Sequence, residues 1–237
     1  MRNTFYKLSY PVFFLIILAA FQQSLHAQSF IWVKSYGGAD KDKGKDLGVD
    51  QFGNAFVAGF FRNQMTLGSI DLQATGGDTD EDVFIAKLDV AGNPVWAHNM
   101  GNGLNEHEDF PLGMSVNENG WSATSGKCFQ YLKLDNGDSI PGYGNDDMFL
   151  VTYDPDGNLN WAKVGGGDGD ELGSATFVDN SQNVYCCGNF RGPIDFYGDS
   201  LITVANDPHF YCAKYNWEGK LLWVKWFSAS SLSLIHI

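Results

Sequence analysis

Carboxylates crowd three short stretches of this 237-residue chain at alternate positions: Asp40-x-Asp42-x-Gly44-x-Asp46, Asp78-x-Asp80-x-Asp82 and Asp168-x-Asp170-Glu171. Oxygens spaced in this way suit a hard cation such as Ca²⁺, which gathers about six to eight oxygen ligands. None of the three completes the glycine turn and distal glutamate of an EF-hand. Asp40, Asp42, Asp46, Asp78, Asp80, Asp82, Asp168 and Asp170 therefore stand as candidate calcium ligands, set against the alternative of solvated turns in an acidic protein. Calcium is the one cofactor these residues suggest. His107-Glu108-Asp109 is a lone polar cluster that reads more as a turn than as a ligand set. Ser-His-Asp spacings, phosphate-cradling glycine loops and Cys/His zinc patterns are not found in the sequence, so no catalytic residue is assigned and a non-enzyme is expected. Carboxylate pairs for glycoside hydrolysis are too many to choose among, because their separation is a three-dimensional quantity.

The elements that must carry these residues come in copies. Trp32, Trp96, Trp161 and Trp223 follow one another at steps of 64, 65 and 62 residues. Four residues before each of the last three stands a glycine, Gly92, Gly157 and Gly219, and twelve before stands an aromatic, Phe84, Phe149 and Tyr211. The windows DVFIAKLDVAGNPVW, DMFLVTYDPDGNLNW and HFYCAKYNWEGKLLW each read as an apolar strand, a tight turn and a second strand ending in Trp. A second block recurs after each Trp. It runs from Val49-Asp50 to Gly59, from Val116-Asn117 to Gly126 and from Val178-Asp179 to Gly188, and each is led by an acid, Asp42, Asp109 or Glu171. The strands AFVAGFF and VYCCGNF are apolar on both faces, which suits sheets covered on both sides by neighbouring sheets. Self-similarity at this period predicts an all-β, propeller-type array of about three antiparallel blades and the start of a fourth. The expected units are 28–96, 97–161 and 162–223, with 224–237 holding the start of a fourth repeat and a non-repeat tail.

At these residues the chain resembles the bacterial secreted proteins with long β-propeller repeats, the SBBP type. Their unit reads roughly D-x-x-G-N-x-Y/F-V-x-G-x-F, then D-x-F/V-x-x-K-x-D-x-x-G-x-x-x-W. The resemblance runs from Gln28 to about Phe227 and implies a surface or secreted scaffold rather than a particular enzyme. Trp121 breaks the pattern where the other copies have Asn54 and Asn183, and this makes it the candidate for stacking on a sugar. The repeated indoles read instead as packing between blades. The Asp-x-x-Gly-x-x-x-Trp hairpin also resembles the Asp-box turn of sialidases and the tryptophan-docking turn of quinoprotein dehydrogenases, but its spacing differs from both.

Arg2 and Lys7 flank the apolar run Val12–Phe21, and Leu25-His26-Ala27 offers a small-residue cleavage site. Residues 1–27 are expected to be a signal peptide, its apolar run being too short to span a bilayer comfortably. Its removal takes away two cations and no acids, moving the net charge from −13 to −15. Such a surface repels nucleic acid and anionic lipid. The expected locations are outside the cell or at its surface, and the expected partner is a glycan, protein or matrix component bound by loops of one rim. The alternative is a fragment of a propeller polysaccharide hydrolase or lyase. The tail SASSLSLIHI breaks the cadence and resembles adaptor read-through, so the reading frame is expected to continue past Phe227 into further repeats. Cys186, Cys187 and Cys212 occupy the repeat positions of Val57, Ala58 and Ile85 and read as small core residues. A disulfide joining Cys212 to one of the adjacent pair is the alternative.

Overall fold

The computed structural model describes residues 31–76, 80–104, 107–196, 200–201, 208–228 and 232–233. The segment 1–27, Asp78 and most of the tail lie outside them. Residues 1–33 form a unit apart from 34–237, and the architecture below is that of the second unit.

Each copied segment folds as a four-stranded antiparallel meander. The first comprises β1 (Asp42–Val49), β2 (Ala55–Arg62), β5 (Glu81–Leu88) and β6 (Pro94–Gly101), with a hairpin of β3 (Gln64–Leu67) and β4 (Ile70–Gln73) inserted after β2. The second comprises β7 (Phe110–Val116), β8 (Ser122–Leu134), β9 (Ser139–Tyr153) and β10 (Leu159–Gly167), and its insert is the extension of β8 and β9 themselves. The third comprises β11 (Leu172–Val178), β12 (Val184–Arg191), β15 (Pro208–Tyr215) and β16 (Leu221–Ser228). Its insert is β13 (Ile194–Asp195) with β14 (Ser200–Leu201), and β17 (Leu232–Ser233) pairs with β16. Among the described residues there is no helix, and β16 does not pair back to β1, so the array is not closed into a ring.

The recurring residues have local causes. In the turn Asp50–Asn54, Asp50 Oδ1 accepts from the amides of Phe52 and Asn54, and Oδ2 accepts from the Asn54 side chain. The same three bonds close Asp89–Asn93, Asp154–Asn158 and Asp179–Asn183. The fourth residue of each turn is left-handed, with φ of 83° at Gly53, 77° at Gly92 and 89° at Gly157; glycine adopts that conformation at no steric cost. The glycine that closes each second block faces an aromatic on the next strand: Gly59 opposite Phe84, Gly126 opposite Phe149 and Gly188 opposite Tyr211. The ring lies over the bare glycine, so a Cβ at Gly126 would come within 2.7 Å of Phe149.

The core lies between the sheets. Successive residues of β9 alternate sides: Phe149 and Val151 join Phe56, Ile85 and Trp96 of the first meander, whereas Met148 and Leu150 join Val184, Cys186 and Tyr211 of the third. The second meander is thus covered on both faces, as its apolar strands require. The third is not. In β12, Val184, Cys186 and Phe190 are buried while Tyr185 and Cys187 are only half-buried. Beside them a shallow cavity of ≈ 150 Å³ is lined by Phe177, Tyr185, Cys187 and Cys212. Cys187 and Cys212 sit directly opposite each other on β12 and β15, and all four cysteines are thiols.

Candidate functional site

Two junctions join the three meanders, and each is fastened at both ends. At one end an indole crosses over. Trp96 donates from Nε1 to the Pro155 carbonyl (3.2 Å) inside the Asp154–Asn158 turn. Its ring covers Gly157, where a Cβ would approach it to 2.8 Å. Trp161 repeats this one meander on, donating to the Trp217 carbonyl (3.2 Å) and covering Gly219. The Trp and the glycine four residues before the next Trp are therefore two halves of one contact. Trp223 on β16 meets Tyr185 edge-on within its own meander.

At the other end the chain crosses from one meander to the next, and carboxylates organise the crossing. Asp42, Asp109 and Glu171, the acids that lead the copies, each accept a backbone amide at equivalent positions: Gly38 at 2.6 Å, Asn102 at 2.7 Å and Gly167 at 2.9 Å. Asp109 also accepts from the Phe129 amide and the Asn102 side chain. Opposite the last two of these stands a second acid from the third strand of the preceding meander, Asp82 of β5 facing Asp109 and Asp147 of β9 beside Glu171. Asp82 is held by the amide and hydroxyl of Thr75 and by Asn99, and Asp147 by the amides of Tyr143 and Gly144. Gly101 and Gly166, at matching positions, leave the space these carboxylates fill.

The first junction adds Asp80. One carboxylate oxygen from each of Asp80, Asp82 and Asp109 lies within 4.8 Å of the other two, and all three side chains are buried. Both Asp80 oxygens lack a hydrogen-bond partner. The Glu81 amide, which lowers it, and the Asp82 carboxyl, which raises it, are close enough to bear on its titration without reaching hydrogen-bond geometry. Neighbouring Glu81, equally buried, draws Lys41 and Arg62 to its Oε1 at 2.7 Å each. Enclosing carboxylates away from water disfavours the charged form. Burial, reinforced by the charge of Asp82, pushes Asp80 up to about 7. Burial raises Asp82 against the pull of its Thr75 and Asn99 bonds, and holds Asp109 well above the carboxylate range. In the second junction burial pushes Glu171 up to about 7, opposed by the amides of Gly167 and Arg191 and reinforced by Asp147. The exposed turns go the other way, with Asp89 lowered by the amide and side chain of Asn93.

The sequence-level candidates are thus dispersed. Asp40 is exposed and takes the Asn63 side chain; Asp42 caps Gly38; Asp46 reaches across to the Met114 amide at 2.8 Å. Asp168 and Asp170 are exposed. Asp80 and Asp82 converge, but on Asp109, which was not among the metal candidates. The signal available for it was its place as leader of the second copy, shared with Asp42 and Glu171. Trp121 is half-buried in the Asn117 turn, where its amide donates to Asn117 Oδ1.

Residues 31–59 match the family model SBBP, described as a beta-propeller repeat. The chain is also 24% identical over 233 residues to an uncharacterized WD repeat-containing protein of Acanthamoeba polyphaga mimivirus, an alignment covering 83% of this chain and 16% of that protein. The chain therefore spans about a sixth of the length of that relative. Residues 31–59 carry the SBBP-type propeller repeat, and the described residues fold as antiparallel all-β meanders.

Proposed function

We propose that this propeller-repeat chain is an exported, non-catalytic scaffold that binds a glycan, protein or matrix partner through the rim formed by its Asp-x-x-Gly turns. One observation carries the reading: on that rim the Asp and Asn side chains that close the turns are bonded internally, while the rings of Phe52 and Trp217 face outward. Turns joining first to second and third to fourth strands lie at the same end of every meander. Neighbouring turns touch there, through Gln51 to Glu118 and Asn117 to Asp179, and Lys87 of β5 reaches the Pro155 carbonyl in the next turn. The aspartates and asparagines are consumed in closing the turns. Phe52 and Trp217, in contrast, stand 65% and 53% exposed, with Trp121 half-buried in the same row. Rigid turns that display flat apolar rings suit stacking on sugar or insertion into a protein surface, since the rings lose little freedom on binding. Carriage by a leader over 1–27 agrees with the acidic, glycine-rich composition.

The test is a glycan array and a polysaccharide panel run with the whole secreted product, whose N-terminus is expected at Gln28. Binding without release of reducing ends is the expected result. Trp217→Ser is expected to weaken it without shifting the melting temperature, because the Trp217 group that anchors Trp161 is a backbone carbonyl. Release of oligosaccharide products would replace this reading with a catalytic one.

A further inference from the structure

We propose that Asp80, Asp82 and Asp109 hold one hard divalent cation, with calcium the best match, at the junction of the first and second meanders. Oxygens bound to one Ca²⁺ at about 2.3–2.6 Å stand no more than about 5 Å apart, and the three carboxylates already offer oxygens within 4.8 Å of one another. Two of the three are preset. Amides of Thr75, Asn102 and Phe129 fix Asp82 and Asp109 by bonds that favour the ionised form.

Asp80 supplies the independent observation. It is fully buried, both its oxygens are unpartnered, and it points into the pair. Leaving a buried carboxylate without hydrogen bonds or countercharge is expensive, and such groups are paired or coordinate metals. No cation among the groups that act on its titration relieves it, and Lys41 and Arg62 bind the neighbouring Glu81 instead. A cation would supply the missing countercharge to all three acids at once. Glycine opens the space, since a Cβ at Gly76 or Gly101 would strike Asp80 or Asp82. At the second junction the position of Asp80 is Asn145, which is exposed. Asp147 and Glu171 are then a pair, able to share a proton, and no ion is assigned there.

The experiment uses the whole chain, stripped with EDTA and titrated with calcium chloride, with magnesium chloride as the comparison. Calorimetry is expected to show one site per chain, and the melting temperature should rise with calcium. Asp80→Asn is the decisive variant, because it removes the charge at nearly constant size and breaks no hydrogen bond of normal geometry. It should raise the melting temperature in EDTA by removing a repelling charge, and abolish the calcium-dependent rise. Asp147→Asn should leave the calcium response in place. Three acids sharing protons only would give the EDTA result for Asp80→Asn with no heat and no melting shift in the unsubstituted chain, and that outcome overturns the proposal. A calcium response retained in Asp80→Asn overturns it equally.

Discussion

At the first junction Asp82 and Asp109 face each other with Asp80 beside them; at the second the matching positions hold Asp147, Glu171 and the exposed Asn145. Both junctions use the same amides on the leading acid, the same glycine beneath the facing acid and the same indole crossing at the far end. One frame therefore carries two different charges. The indole and the amide bonds are what joining meanders requires, since they occur twice, whereas the third carboxylate at one junction is an addition to that frame. It is the addition that calls for a chemical explanation, and the frame that calls for a mechanical one.

The comparison breaks most visibly if the frame is removed. Trp96 is 8% exposed and lies within the core shared by the first two meanders, while Trp161 is only partly buried against the core of the next pair. Trp96→Ala is expected to cost about 3–5 kcal/mol of unfolding free energy, and Trp161→Ala clearly less, both read from denaturant unfolding. Gly157→Ala, at φ 89° and against the Trp96 ring, should cost about 2–4 kcal/mol from left-handed strain plus overpacking. Because Trp96 and Gly157 form one contact, the double variant should cost less than the sum of the two. Additive costs would mean that the indole stabilises its own meander and not the junction.

The repeating parts of this frame were legible in the chain because each signal is local and occurs three times. Asp50-x-x-Gly-Asn and its copies are complete within five residues, and the Trp to Gly spacing is fixed by one hairpin. The acid triad was not legible in the same way. Asp80 and Asp82 were grouped with Asp78 by alternation along the chain, yet their partner is Asp109, delivered by the crossover from β6 to β7. Proximity in sequence misled, and equivalence between copies was the better guide: Asp82 and Asp147 both stand two residues before the aromatic that faces the block-closing glycine, as Asp109 and Glu171 both lead a first strand. Open and covered faces were also beyond reach. VYCCGNF reads as apolar on both sides, but Tyr185 and Cys187 face no further sheet among the described residues.

Protons offer a gentler way to separate the two junctions. Glu171 in the folded chain titrates at about 7, against about 4.3 when unfolded. Between those values the native state holds a proton that the unfolded state does not. Its contribution to stability is thus full below about pH 4.3 and lost as pH rises towards 7. Glu171→Gln is neutral throughout, so its stability relative to the parent should climb across that window, with a slope of at most about 1.4 kcal/mol per pH unit for one proton. Melting curves at half-unit steps of pH, in EDTA and in calcium, check it. Asp109→Asn should behave in the same sense in EDTA and lose this advantage in calcium, where a cation would favour the ionised parent. Identical pH profiles for the two variants in calcium would make the junctions electrostatically alike.

The smallest expected difference lies in the row of turns that runs past both junctions. Gly53 and Gly120 sit left-handed at φ 83° and 85° in the first two meanders, and Gln182 takes the same place in the third at φ 63°. A side chain in that region costs about 1–2 kcal/mol. Replacing it by glycine recovers that cost but loosens the unfolded chain by about 0.5–1 kcal/mol. The turn is otherwise intact, with Asp179 closing on Ser181 and Asn183 and its carbonyl taking the Asn117 side chain across the second junction. Gln182→Gly should therefore stabilise the protein by about 0.5–1 kcal/mol, visible as a rise of a degree or two in melting temperature. A fall would mean that the Gln182 side chain contributes to the second junction a contact that the first junction does without.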